Sequence, residues 1–152
     1  MMTTTMTTTK PLTPAKKSEP ENTATAIESG LTDFTAAAWQ FQDITRTRII
    51  CLISHFGQVC ISDISQILPD VPQQKLHRHL SYLKRDGMLS SYRHHTAVFY
   101  SFREVSKEFR YMLTYASGIA QVRSDLRAYQ SRLQKGLLLA STLQKPVGHG
   151  HN

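Results

Sequence analysis

Two cysteines and a histidine lie close together in the chain. Cys51 and His55 are one helical turn apart, and Cys60 follows a glycine at 57 that lets the chain fold back toward them. Two thiolates with an imidazole form a site for a thiophilic ion, and two sulfurs in reach of one another form a redox disulfide. The competing reading is structural, because both cysteines sit among isoleucines and leucines and cysteine is among the most buried residue types. A second group of residues is basic and amide-rich: Gln73, Gln74, Lys75, His77 and Arg78 fall within six positions. A glutamine amide pairs with adenine in two places, and an arginine fork does the same with guanine. Lys84 and Arg85, two turns further on, suit phosphate contact, and Arg93 and His94 suit the adjacent minor groove or its phosphates. His77 and His79 are two apart and do not share a helix face, so His79 is read as packed or hydrogen-bonded rather than as a zinc ligand. His94 and His95 are likewise assigned to phosphate rather than metal. There is no nucleophile with its base, no phosphate loop and no carboxylate pair, so the sequence is not read as an enzyme.

These residues need elements to position them. Ile49, Ile50, Leu52, Ile53 and Phe56 recur at helical spacing, with Gly57 as the stop. Val59 and Cys60 form a short extended link, and Ser62 is an N-cap for a helix carrying Ile64, Ile67 and Leu68 that Pro69 ends. Pro72 suits a first turn, and Leu76, Leu80 and Leu83 make one apolar stripe as far as Gly87. Two short helices around a tight turn are the organisation of a helix-turn-helix. Leu89 to Arg93 and Ala97 to Phe102 read as a β-hairpin, and His94, His95 and Thr96 lack the Gly or Asn of the tightest loops, so a looser connection is expected. The fold class is therefore mostly α with a β-hairpin wing.

Residues 1–30, rich in Thr, Pro, Ser and charge, read as a disordered tail. A first helix is expected from near Thr32 through Phe41. Residues 31–105 are assigned to the winged domain, 106–143 to one or more C-terminal helices and 144–152, with the closing GHGHN, to a flexible tail. The last helical segment spaces Phe109, Leu113, Ile119, Leu126 and Leu133 by four, six, seven and seven, steps built from threes and fours, with a bend or break at Gly118. That stripe outruns a small domain and predicts a partner helix. With Phe34, Trp39 and Phe41 it is assigned to homodimerisation. The formal net charge of +7 lies beyond the near-neutral first thirty residues and favours a polyanionic partner. No stretch is long and apolar enough to span a membrane, and the polar start lacks a secretory signal, so a cytoplasmic location is expected.

The segments RTRIICLI (46–53), QVCISDISQIL (58–68), VPQQKLHRHLSYLKRDGML (71–89) and SSYRHHTAVFYSF (90–102) resemble the arsenic-repressor (ArsR/SmtB) family of winged helix-turn-helix regulators. The resemblance covers roughly residues 33–135. It implies a homodimer joined by its first and last helices, bound to double-stranded palindromic operator DNA as a repressor that an effector releases. The family's metal box reads ELCVCDL and this chain has QVCISDI: Cys60 matches the first cysteine and Ser62 replaces the second. The cofactor is left unknown between trivalent arsenic and another thiophilic ion, beside thiol oxidation. An effector-independent architectural DNA binder with structural cysteines is the alternative, and a winged domain used only for protein contacts is a third class.

Overall fold

The computed structural model describes residues 18–143, with side chains from residue 23 onward; the expectations for residues 1–17 and 144–152 lie outside the described residues. Six helices and three strands follow in the order α1 (Ser18–Gln40), α2 (Ile44–Phe56), β1 (Val59–Cys60), α3 (Ile61–Ile67), α4 (Gln73–Arg85), β2 (Leu89–His94), β3 (Ala97–Phe102), α5 (Lys107–Ser117) and α6 (Ala120–Gln134), before a final 3₁₀ turn at Leu139–Thr142. Among the described residues no helix is long and apolar enough to cross a membrane.

Helix α2 is the central post. Its consecutive residues Thr45 and Thr47 to Ile53 are buried, which a helix tolerates only when it is packed on all sides. Asp43 caps its N-terminus by accepting the Arg46 backbone N–H at 2.9 Å. Gly57 closes it at φ 80°, in the left-handed region that glycine enters without a Cβ penalty. Ile64, Leu68, Leu76, Leu80, Leu83, Leu89 and Phe99 complete the core against it, all at 1% exposure or less.

The extended link at Val59–Cys60 is a true strand. It adds to the hairpin as β1–β3–β2, antiparallel throughout, with Cys60 opposite Phe99 and Leu89 opposite Phe102. The expected looser hairpin connection is instead tight: His94 pairs with Ala97, leaving only His95 and Thr96 in the turn. His95 takes φ 55°, a conformation that histidine tolerates better than most non-glycine residues, and the six-pair ladder holds it there.

Two further expectations are corrected. The first helix begins at Ser18 rather than near Thr32, so residues 18–30, read as tail from their composition, are helical. Proline at position 20 falls in the first turn, where its missing N–H costs nothing. The C-terminal stripe is largely covered within the chain. Gly118 ends α5, Ile119 is extended at ψ 136°, and α6 turns back onto α2. As a result Phe109 and Leu133 are core residues, and Leu113 and Leu126 are half-buried against the core. The stripe looked unpartnered because α2's second apolar face cannot be separated from its first by periodicity alone.

Candidate nucleic-acid interface

The α3–turn–α4 unit presents α4 because its Leu76, Leu80 and Leu83 side are completely buried. Burial of three leucines stabilises this docking by about 1.5–3 kcal/mol each. Gln73, Gln74, His77 and Arg78 are left exposed, with Lys75 half-buried beside them. Gln73 and His77 share a cleft of about 210 Å³ with Ser62 and with Thr96–Val98 of the hairpin, so the start of α4 and the wing form one continuous surface. Lys84 and Arg85 are exposed at the far end of α4, where Arg85 lies 5.7 Å from the Tyr82 ring. On the wing, Arg93 is exposed, whereas His94 is half-buried and packs edge-on to His95 and Phe99.

His79 is a packed histidine. It faces Asp43, with Nε2 3.5 Å from the carboxylate, too long for a good hydrogen bond. Burial pushes its imidazole below the ordinary value; Asp43 works against this, and Arg46, Lys75 and Arg78 add to it. The same three-way neighbourhood identifies a residue that periodicity did not. Arg46, from the first turns of α2, stands over the Tyr82 ring at 5.0 Å and joins Lys75 and Arg78 in one positive patch. Its location on another helix hid it, although the RTR run in which it sits is basic. Trp39 and Gln40 brace the other end, donating to Tyr82 Oη (2.8 Å) and to Asp86 (2.6 Å).

Two buried carboxylates hold the unit to the C-terminal segment. Arg48 donates Nε and Nη2 to Asp125 of α6 at 2.7 and 3.0 Å, and Nη1 to Asp70 in the turn between α3 and α4 at 2.8 Å. Asp63 of α3 accepts the backbone N–H groups of Leu139 and Ala140 at 2.7 and 2.8 Å.

The cysteines and His55 are not brought together. His55 is exposed and its ring packs on Phe56, while Cys51 and Cys60 are 1% and 2% exposed. Cys51 lies with Ala116 and Val122, whereas Cys60 belongs to the main core. Among the described residues no group of three His, Cys, Asp or Glu is placed to hold a metal ion. Burial pushes both thiols from 9.0 up to about 11. A thiophilic ion or an oxidant acts on the thiolate, so it reaches these sulfurs only when the core opens. Native protein at pH 7.5 should therefore react with a disulfide thiol reagent roughly a hundredfold more slowly than urea-unfolded chain. Complete labelling at the unfolded rate would refute this. Because the folded values lie above the unfolded ones, each thiol's contribution is complete below pH 9 and is lost as pH rises toward 11.

The architecture defines a winged helix-turn-helix protein: helix–turn–helix, then a hairpin, with the second helix of the pair exposed along its polar face. Over 47 residues, 31% of its length, the chain is 40% identical to the arsenical resistance operon repressor of Escherichia coli (strain K12), and it is homologous to the arsenic-repressor family over that stretch. The match spans 39% of that repressor's length. No protein-family model matches. Among solved structures, HlyU from Vibrio cholerae N16961 aligns with 59% of this chain and 94% of its own, at 23% identity and a TM-score of 0.49. The antimony-specific transcriptional repressor AntR aligns with 59% and 76%, at 19% identity and a TM-score of 0.47.

Proposed function

We propose that the chain is a sequence-specific DNA-binding transcriptional regulator, a repressor rather than an enzyme, that works as a homodimer on a palindromic operator. The observation that carries this reading is the exposed row Gln73, Gln74, His77 and Arg78 at the start of a helix whose opposite side is fully buried, continuous with a wing. Such a helix enters the major groove N-terminus first. In this reading Gln73, Gln74 and Arg78 read base edges. Lys75, Lys84, Arg85 and Arg93 meet phosphates, with Arg46 added from α2. The homology to a repressor supports the same assignment.

A second copy of the chain has a surface to bind. Ile27, Leu31 and Phe34 project along one side of α1 at 64%, 64% and 50% exposure, and Tyr111, Tyr115 and Ile119 are exposed at the end of α5. The dimer is assigned to these residues together with Phe41, which is half-buried against Phe109. Two recognition helices at fixed spacing then match a two-fold site.

The test is a pair of substitutions measured on matched and scrambled duplexes over a range of salt. Arg78→Ala should weaken binding to the matched duplex by about 1–3 kcal/mol and the scrambled one far less. Arg46→Gln should weaken both alike and lower the slope of log affinity against log salt by about 1. Equal losses for Arg78→Ala on the two duplexes would remove it from base reading.

A further inference from the structure

The chain carries a cleft lined by none of the residues that the proposed DNA and dimer surfaces use. It lies between the end of α2 and the outer side of α6, has a volume of about 420 Å³, and is lined by His55, Arg123, Leu126, Arg127, Gln130 and Gln134 among others. No carboxylate lines it. Arg123 and Arg127 are one turn apart on α6, both exposed, and neither side chain makes an ion pair or hydrogen bond among the described residues. Leu126 between them is half-buried and packs against the Cys51–Val122 cluster, which gives the cleft an apolar contact. Like charges four residues apart on one helix face are mutually unfavourable, and an anion that accepts from both removes that cost.

We propose that this cleft binds a small organic anion, a carboxylate on an aromatic or aliphatic body, and that its occupancy is transmitted to the helix-turn-helix. The carboxylate takes the Arg123 and Arg127 forks, the amides of Gln130 and Gln134 supply further donors, and the apolar body covers Leu126. The depression is open to solvent, with His55, Arg123, Arg127, Gln130 and Gln134 exposed around Leu126, so the ligand is held by charge and one apolar contact rather than enclosed. Transmission follows from the position of Asp125. It sits between the two arginines in sequence but points inward, where Arg48 joins it to Asp70 of the α3–α4 turn. A ligand that shifts this part of α6 therefore pulls on the turn that orients α4.

The probe is 2-naphthoate, titrated into the full chain labelled with ¹⁵N, with neutral 2-naphthamide as the control and Arg123→Gln/Arg127→Gln as the variant. Both positions are exposed, so the variant keeps its fold. The expected result is saturable amide shifts at His55 and along residues 123–134, with binding at least about tenfold weaker for the amide and for the variant, as loss of charge-assisted hydrogen bonds requires. Val71, next to Asp70, should shift in the same titration. Shifts that fall only around Tyr111 and Ile119, equal affinity for the variant, or no saturable change at α6 would each overturn the site; a silent Val71 would overturn the transmission. None of these readouts involves DNA, so the result stands or falls apart from the DNA-binding reading.

Discussion

Arg48→Leu is expected to lower the free energy of unfolding by about 3–5 kcal/mol, a large part of what a domain of this size possesses. The loss comes from what the arginine leaves behind. Its side chain is 8% exposed and that of Asp125 only 5%, so leucine strands a buried carboxylate whose remaining partner is Gln121 Nε2 at 3.2 Å. Asp70 is different: its side chain is 61% exposed and returns to water when the arginine is gone. Asp70→Asn should accordingly cost less than about 1 kcal/mol, the usual range for an exposed pair. Arg48→Leu combined with Asp125→Leu should recover most of the stability, because an apolar pair in place of a buried ion pair is commonly neutral or better. Urea denaturation checks all of these, as shifts in midpoint at constant slope. A single variant within 1 kcal/mol of wild type would show that Asp125 finds water or another donor. The same variant bears on function, since Arg48 is the side chain that connects α6 to the turn ahead of α4.

Local periodicity accounts for the parts of the fold that were legible. Leu76, Leu80 and Leu83 recur at the helical period, so their burial, and the exposure of Gln73, Gln74, His77 and Arg78 opposite them, follow from spacing alone. Gly57 and the change to an extended pattern after Gly87 are equally local signals. What spacing does not contain is which distant element covers a given face. Phe109 and Leu133 read as a dimer seam because nothing in their own segment shows that α6 doubles back onto α2; the break at Gly118 was visible, its direction was not. Arg48 and Asp125 are 77 residues apart, and Arg46 joins Lys75 and Arg78 from a different helix. Each is an ordinary polar residue until the tertiary structure supplies its partner. The cysteines show the opposite case. Their spacing fits a metal site, but the strand at Val59–Cys60 and the helix around Cys51 commit the two thiols to different packing clusters.

Asp63→Asn should cost about 3 kcal/mol without changing the volume of the side chain. The carboxylate is completely buried and accepts two backbone N–H groups, one on each oxygen, from Leu139 and Ala140. Asparagine offers one acceptor and presents an NH₂ group where the second acceptor stood, so one amide of the final turn loses its partner and meets a donor. Charge-assisted hydrogen bonds are the strong ones, and a buried donor left unmade costs its full desolvation. Because the isostere creates no cavity, the loss contains no packing contribution and combines the lost hydrogen bond with the removal of a buried charge. The location of the effect is as informative as its size. Leu138 and Ala140 are buried against the core through this contact, so amide exchange at Leu139 and Ala140 should accelerate by far more than at Leu76 or Leu80 in α4. Unchanged protection at 139 and 140 would mean that the turn is held by its apolar contacts and that Asp63 serves only the start of α3. Loss of protection confined to 138–143, with α4 intact, would establish that this carboxylate ties the C-terminal segment to the helix-turn-helix without being needed to fold it.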